Sequence, residues 1–172
     1  FKPLSLSIKE LFTNADSKYK IPQYQRPYKW EGDQVFQLWD DIYEAYENKE
    51  KNYFLGSIIT AKPRDNENSS YVDVVDGQQR LTTINILYVA LYRFAKENNL
   101  NSEADRLYNM FLTNQYVEQE SSKLKLKQTD QNSLAFKAIM NATENEFGGY
   151  SNVIENYNFF RSIITIDNFE II

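Results

Sequence analysis

The stretch YVDVVDGQQRLTTINILYVALY at residues 71–92 decides the fold of this 172-residue chain, because its periodicity changes at a single point. Residues 71–75 are rich in β-forming side chains and predict a strand. From Leu81 to about Asn98 the apolar residues recur at helical spacing, which predicts a long amphipathic helix. They are Leu81, Ile84, Leu87, Tyr88, Leu91 and Tyr92. The segment DGQQR at residues 76–80 therefore lies at a strand-to-helix junction.

This junction segment carries groups suited to binding an anion. The amino end of a helix presents free backbone N–H groups and the positive end of the helix dipole, and Gly77 permits a tight turn there. Arg80 can donate two hydrogen bonds to a phosphate, and Gln78 or Gln79 can orient a water for attack on it. Asp76 is a candidate magnesium ligand, because magnesium takes oxygen ligands and bridges to substrate phosphates. The alternative is a tight turn with Asp76 capping the helix.

A second segment, IPQYQRPYKW at residues 21–30, is predicted to be extended, because Pro22 and Pro27 keep the residues before them out of the helical region. Its aromatic side chains can stack on bases while its cations contact phosphates. The candidate ligand contacts are Tyr24, Gln25, Arg26 and Tyr28. The alternative is an aromatic core segment in which Trp30 packs against the next helix.

A third segment, FLGSII at residues 54–59, belongs to a predicted strand at residues 53–62. That strand and residues 71–75 are expected to be neighbours across a turn-prone loop at residues 63–70. Glycine inside a strand often marks the close approach of a ligand or of another backbone, so Gly56 and Ser57 are candidates to face a ligand. The alternative is a β-bulge.

The remaining elements are read from periodicity alone. Helices are predicted at residues 7–14, 33–48, 102–115 and 131–142, with a last one after the Gly148-Gly149 break. Asp33 is expected at the N-cap or in the first turn of its helix. The alternating run at residues 123–127 predicts an edge strand, with Lys123, Lys125 and Lys127 forming a solvated face.

Composition excludes several chemistries. The chain has no cysteine and no histidine, so it has no disulfide, no thiolate zinc site, no histidine base and no HNH-type nuclease centre. Its net charge of -5 argues against a surface that binds DNA phosphates all over, although a local basic groove is compatible with it. The five glycines form no GxxxxGK loop. Catalysis by this chain would therefore depend on carboxylates, amides, arginines and hydroxyls.

The sequence also makes a prediction about location. No apolar run approaches the ~20 residues of a membrane span. The amino-terminal residues lack the basic and then apolar layout of a signal peptide. We therefore expect a cytoplasmic protein with no membrane partner.

Taken together, residues 21–30, 54–59 and 75–83 resemble the N-terminal domain of GmrSD-type and SspE-type modification-dependent restriction proteins in order and spacing. The resemblance implies an α+β fold, with a small ParB/sulfiredoxin-like mixed sheet core and several flanking and C-terminal helices. We expect this core at residues 1–100 and a helical extension at residues 101–172. The chain ends without a helix stop signal, so a further C-terminal domain is expected.

The same resemblance implies a nucleotide-hydrolysis site. Asp76, Gln78, Gln79 and Arg80 would carry the hydrolytic motif, with Asp76 as metal ligand. The adjoining nucleotide- or DNA-binding positions would be Tyr24, Gln25, Arg26, Tyr28, Gly56, Ser57 and Gly77. The implied cofactors are Mg²⁺ with a nucleoside triphosphate, GTP being favoured. The implied partners are DNA with glucosylated, hydroxymethylated or phosphorothioate modifications, and a C-terminal or separate HNH-type nuclease.

Two functions from different classes follow. The first is a magnesium-dependent nucleoside triphosphatase coupled to recognition or cleavage of modified DNA. The second is a non-catalytic module that reads modified DNA or a partner protein, with nucleotide-independent and salt-dependent DNA affinity. A nuclease within this chain has little support, because no further acidic cluster accompanies Asp73 and Asp76 to form a two-metal site.

Overall fold

A mixed four-stranded sheet positions the junction segment in the computed structural model, which describes residues 3–13, 18–62, 71–114 and 124–169. The strands are β1 (Tyr19–Lys20), β2 (Ile59–Ala61), β3 (Val72–Asp76) and β4 (Leu126–Lys127). Their order is β2-β3-β1-β4; β1 runs parallel to both β3 and β4, and β2 runs antiparallel to β3. The predicted α+β class with a mixed sheet is confirmed, as is the pairing of the second and third strands.

Helices surround the sheet. They are α1 (Ile8–Thr13), α2 (Gly32–Glu47), α3 (Gln78–Glu97), α4 (Asn101–Arg106), α5 (Asp130–Met140), α6 (Asn152–Ile163) and α7 (Ile166–Phe169). The chain after α4 continues as a π-helical segment at Leu107–Leu112, and a short 3₁₀ turn spans Glu144–Glu146. The predicted helices are confirmed, except that the one expected at residues 102–115 changes from α to π winding and ends at Leu112. Residue 115, the end of the predicted range, lies outside the described residues. Within the described ranges, no helix is long and apolar enough to span a bilayer.

Helix α3 is the centre of the molecule. Most of its side chains from Leu81 to Ala95 are buried, and α4, the π-helical segment, α5 and α6 all pack against it. The hydrophobic core is continuous across the predicted boundary at residue 100, since Val74 and Leu87 share one cluster with Phe136 and Phe160. The division into a core and an extension stays a prediction, but the second half of the chain packs on the helix that begins at the junction segment.

Helix α2 begins as its sequence predicts. The backbone N–H of Glu31 donates to Gln34 Oε1 at 3.0 Å, and Glu31 is the N-cap of a capping box. Asp33 therefore lies in the first turn, one of the two places expected for it. Val35 and Leu38 are buried, so α2 packs through one face and leaves Asp33 and its neighbours on the other.

The strand predicted at residues 53–62 is largely wrong. Only Ile59–Ala61 is a strand, and residues 53–58 are irregular. The physical reason is Gly56, whose φ of 129° lies outside the range of an L-residue strand and turns the segment across the start of α3. The predicted turn at residues 63–70 lies outside the described residues.

The predicted solvated lysine face is wrong for Lys125. This residue is 3% exposed, and its Nζ donates to the carbonyl oxygens of Phe12 and Met110. It lies in a bend before β4, where it links α1, the π-helical segment and the sheet, and burial lowers the pKa of its ammonium group. The edge position of β4 and the exposure of Lys127 are confirmed, and Lys123 lies outside the described residues.

Candidate functional site

The junction between β3 and α3 is formed by Gly77. Strand β3 ends at Asp76 and α3 begins at Gln78, so the segment lies where the sequence predicts it. Gly77 has a φ of 81°, in the left-handed region that favours glycine. A Cβ at this position would lie 2.7 Å from the carbonyl oxygen of Ser57. The junction thus requires glycine both for its backbone conformation and for the approach of residues 57–58.

The guanidinium of Arg80 lies directly against Gly56. A Cβ on Gly56 would overlap the Nη1 and Cζ atoms of Arg80, and the φ of 129° at Gly56 again favours glycine. The close approach expected at this glycine is therefore made by the arginine of the junction segment. Packing against the peptide backbone of residues 55–57 limits where the guanidinium can point, which pre-orients its donors.

Two glutamines connect residues 21–30 to the junction. Gln25 Nε2 donates to the carbonyl oxygen of Val75 at 3.3 Å, and Gln78 Nε2 donates to Gln25 Oε1 at 3.1 Å. The chain of amides holds the loop of Tyr24 and Arg26 beside the start of α3, and both of these side chains are exposed. Two segments about fifty residues apart in sequence therefore meet at one end of the sheet.

Gln79 uses both ends of its carboxamide on the same loop. Its Nε2 donates to the carbonyl oxygen of Pro27 at 3.1 Å, and its Oε1 accepts from the backbone N–H of Lys29 at 2.8 Å. The two bonds flank Tyr28, because the carbonyl of Pro27 and the N–H of Lys29 belong to the peptide groups on either side of that residue. Gln79 thus positions the loop at residues 27–29, whereas Gln78 bonds to the side chain of Gln25.

Tyr28 points into the core. Its hydroxyl lies 2.7 Å from Thr83 Oγ1 and accepts from Asn156 Nδ2 at 2.8 Å, and the side chain is 8% exposed. Burial raises the pKa of Tyr28 to about 12, so the phenol stays protonated at neutral pH. Tyr28 therefore anchors the loop of Arg26 and Trp30 to the core.

Asn156 is a supporting residue that sequence reasoning missed. Its Nδ2 also donates to the carbonyl oxygen of Trp30 at 2.8 Å, so α6 holds the loop at two points. The signal was a polar residue within an apolar helical face, because Val153, Tyr157 and Phe160 are all buried around it. A buried amide in such a face needs partners, which the carbonyl and hydroxyl groups of the loop supply.

The electrostatics of the start of α3 favour an anion. The first turn contains no acidic residue, no side chain caps the helix, and Arg80 is its third residue. The first intrahelical bond runs from the N–H of Leu81 to Gly77, so the N–H groups of residues 78–80 have no partner within the helix. A cation in this turn opposes the usual preference for acidic residues there. The first turn of α3 thus combines a cation with N–H groups that have no helical partner, and it follows Asp76, which is exposed.

A cavity of about 380 Å³ opens between α2 and residues 53–55, and Arg80 contributes to its wall. Other lining residues include Trp30, Asp33, Gln37, Asp41 and Phe54. Gln37 Nε2 donates to Asp41 Oδ1 at 2.8 Å within it. The sequence predicted a site role for Arg80 but none for the polar face of α2. That face taken alone has the pattern of a helix surface exposed to solvent.

Asp76 fits the requirements of a magnesium ligand. Within the described ranges, no group of three or more histidine, cysteine or acidic side chains is placed to hold a metal. Magnesium in nucleotide sites uses one or two carboxylates together with substrate phosphates and waters, so the single exposed carboxylate of Asp76 would be enough to contribute to such a site.

The structure thus brings together most of the predicted site residues. Gln25, Gly56, Ser57, Gly77, Gln78, Gln79 and Arg80 meet at the junction. Tyr24 and Arg26 are exposed beside it, Asp76 is exposed at its edge, and Tyr28 lies in the core below it. Their roles toward a ligand stay predictions.

Comparison with known families is informative over nearly the whole chain. A family model described as GmrSD restriction endonuclease, N-terminal domain, matches residues 8–172. No curated protein matches the chain. The family match includes residues 101–172, for which the sequence motifs predicted only a helical extension.

Proposed function

The chain belongs to the family of GmrSD restriction endonuclease N-terminal domains, and within such a modification-dependent restriction system we propose that it binds and hydrolyses a nucleoside triphosphate at the β3–α3 junction. The observation that carries the proposal is the placement of Arg80. Its guanidinium lies against Gly56, in the uncapped first turn of α3, and also lines the neighbouring cavity. A phosphate-bearing ligand could bind to the guanidinium and to the free N–H groups while the rest of it occupies the cavity.

The junction residues have distinct roles in this proposal. Arg80 and the N–H groups of residues 78–80 bind the phosphate oxygens and stabilise the charge that develops on them. Gln78 orients the attacking water, whose oxygen bonds to the terminal phosphorus while the bond to the bridging oxygen breaks. The products are a nucleoside diphosphate and inorganic phosphate. Gln79 acts by positioning residues 27–29.

Asp76 would hold a magnesium ion, which supplies charge neutralisation at the phosphates when bound. Tyr24 and Arg26, exposed beside the junction, would contact the nucleotide or the DNA. Ser57 lies next to Gly56, where its hydroxyl can reach the same ligand. GTP is the nucleotide that the family resemblance favours.

The proposed role of hydrolysis is to couple nucleotide state to recognition or cleavage of modified DNA. The chain contains no histidine, so an HNH-type active site must come from a separate domain or protein. In this proposal the loop at residues 21–30 transmits the state of the site, because Gln25 and Gln79 connect that loop directly to the junction.

Removal of the Arg80 guanidinium tests the proposal. We expect Arg80→Ala to abolish nucleotide binding, measured by calorimetry with magnesium and each common triphosphate, and to abolish phosphate release. Lys96→Ala is the matched control, because it removes one positive charge from the exposed far end of the same helix. Binding and phosphate release by Arg80→Ala equal to those of wild type would remove Arg80 from the mechanism.

A second function, a non-catalytic DNA-recognition module, is favoured by one specific observation. Tyr24 and Phe54 are 74% and 77% exposed, and Arg26 and Lys29 are exposed on the same loop as Tyr24. Aromatic side chains interspersed with cations can bind single-stranded or flipped nucleotides. This function predicts DNA affinity without nucleotide and with a marked salt dependence, measured by fluorescence anisotropy at several salt concentrations. Salt-insensitive binding would argue against it.

A further inference from the structure

We propose that the cavity between α2 and residues 53–55 is the base pocket of the bound nucleotide and that Asp41 selects guanine within it. This inference rests on the proposed function, because Arg80 at the wall of the cavity is taken as the phosphate ligand. It adds a specificity determinant on α2, outside all three sequence motifs.

The shape and lining of the cavity suit a flat aromatic ring. Its volume of about 380 Å³ falls within the range of small-molecule sites. Three aromatic side chains, Trp30, Tyr53 and Phe54, line it. Phe54 is 77% exposed and Tyr53 is 43% exposed. Exposure of these rings to water is unfavourable in the free protein, and a nucleotide base that stacks on them would cover them.

The charges of the cavity determine which end takes which part of a nucleotide. Arg80 is the cation of its lining, and Asp33 and Asp41 are the carboxylates. A triphosphate is repelled by the carboxylates and attracted by the guanidinium, so the phosphates must lie toward Arg80 and α3. The base then lies toward α2, against Asp41, with the ribose between them.

Guanine is the base whose donors match this lining. An ionised carboxylate only accepts hydrogen bonds, and it can accept two in parallel. Guanine presents an imino N–H next to an amino group on one edge. Adenine and cytosine present an amino group beside a ring acceptor, and uracil presents one imino N–H between two carbonyl groups. A carboxylate facing the edge of the base therefore bonds twice to guanine and is opposed by an acceptor on each of the others.

Asp41 is the better placed of the two carboxylates. Its side chain is half-buried, and its Oδ1 accepts from Gln37 Nε2 at 2.8 Å, which orients the group within the cavity. Asp33 is exposed in the first turn of α2, where solvent screens its interactions. We therefore assign the main selectivity to Asp41 and a smaller contribution to Asp33.

The test is to measure the affinity of the Asp41→Asn variant for each nucleoside triphosphate. This substitution is nearly isosteric and removes the second acceptor. We expect its affinity for GTP to fall by at least ~10-fold, because a bond to a charged acceptor contributes more than a neutral one. Affinities for ATP and UTP should rise, because the amide offers a donor to the ring acceptor or carbonyl group that the carboxylate opposes. Asp40→Asn, an exposed neighbour outside the cavity lining, is the control and should leave the ranking unchanged.

A second variant separates stacking from edge recognition. Phe54→Ala removes a largely exposed ring and should not impair folding, which thermal melts of all variants verify. We expect it to weaken binding of every triphosphate by a similar factor and to leave the order of affinities among the triphosphates unchanged.

The outcomes distinguish this inference from the proposed function. Wild-type protein that binds no triphosphate would overturn both. Binding that Arg80→Ala abolishes, with a base ranking unchanged in Asp41→Asn, would overturn only the guanine pocket. Affinity for a guanine-containing single-stranded oligonucleotide that Asp41→Asn abolishes, without affinity for free GTP, would overturn the inference in favour of a pocket for a DNA base.

Discussion

The two ends of α3 follow opposite rules. At its carboxyl end, Lys96 complements the helix dipole, Asn98 Nδ2 donates to the carbonyl oxygen of Phe94 at 2.9 Å, and Glu97 pairs with Arg161 of α6. At its amino end, a cation occupies the first turn, no side chain caps the helix, and Gly77 stands where a capping side chain is usual. The carboxyl end therefore has a complementary charge and a side-chain hydrogen bond that stabilise the helix. The amino end has neither.

This difference indicates where a ligand is expected. The amino end of α3 departs from the capping and charge preferences that stabilise a helix, and such local departures are characteristic of functional sites. A bound phosphate would supply the missing negative charge and accept from the free N–H groups. Three substitutions test the comparison, beyond those at Arg80 and Asp41.

The largest effect on stability is expected at Gly77. Gly77→Ala introduces a Cβ that would lie 2.7 Å from the Ser57 carbonyl oxygen, on a residue with a φ of 81°. We expect the free energy of unfolding to fall by about 3 kcal/mol, since strained backbone conformations cost of order 1–3 kcal/mol before any clash. Urea denaturation measures it. Gly148→Ala is the control, because nothing lies within 4 Å of its Cβ position.

If Gly77→Ala lowers the free energy of unfolding no more than Gly148→Ala does, the backbone of the junction adjusts to a side chain at residue 77 without cost. The amino end of α3 would then not be held in the conformation on which the anion site depends.

An intermediate effect is expected at Tyr28, which supports the site from below. Tyr28→Phe removes a hydroxyl bonded to Thr83 and Asn156 and should lower the free energy of unfolding by about 1–2 kcal/mol, because Asn156 loses one buried partner. Thermal or urea denaturation at neutral pH measures the change. Phe36→Leu, at an exposed aromatic position, should change stability little.

The pH dependence of the same residue gives a second readout. Burial raises the pKa of Tyr28 to about 12 from an ordinary value near ~10, so the folded state favours the protonated phenol. Its contribution to stability is fully present below the unfolded pKa and is lost as pH rises toward about 12. Wild-type protein should therefore lose stability more steeply than Tyr28→Phe across that window. Identical slopes would contradict the burial of the hydroxyl.

The smallest effect is expected at the carboxyl end of α3. Glu97 accepts from Arg161, which lowers the pKa of the Glu97 carboxyl, and the Glu97 side chain is about half exposed. Glu97→Gln should cost no more than ~1 kcal/mol at neutral pH, because exposed ion pairs are screened by solvent. The stabilisation is present above the unfolded pKa and is lost as pH falls through the lowered one. Urea denaturation at pH 7 and under acidic conditions measures both.

Glu103→Gln, on an exposed acid of α4, is the control for Glu97. An effect of Glu97→Gln on nucleotide binding as large as that of Arg80→Ala would contradict the functional difference between the two ends of the helix.

Local patterns were sufficient to predict the frame of the site. The change from β to helical periodicity around Gly77 placed the junction correctly, and Pro22 and Pro27 correctly kept residues 21–30 out of a helix. These features depend on short-range sterics and on the period of the apolar residues, which are encoded within a few neighbouring residues.

Contacts between distant segments were not predictable in the same way. Residues 53–58 contain β-forming side chains, yet Gly56 leaves the strand conformation to accommodate Arg80, which is far away in sequence. Lys125 has the pattern of a solvated edge, yet it is buried and donates to the carbonyl oxygens of Phe12 in α1 and Met110 in the π-helical segment. In both cases a tertiary partner overrides the local preference.

The sequence by itself determined the α+β class, the strand-to-helix junction and the residues from which an anion site can be formed. The α+β class followed from the resemblance of three sequence motifs to a known family. The junction and the candidate residues followed from periodicity, from glycine and proline sterics, and from the chemistry of single side chains. Only the tertiary structure decided that Arg80 packs on Gly56, that Asn156 of α6 holds the loop of Trp30, and that Asp41 lines a cavity shared with Arg80. Such pairings depend on how helices and loops pack in three dimensions, and no local pattern encodes which distant groups will meet.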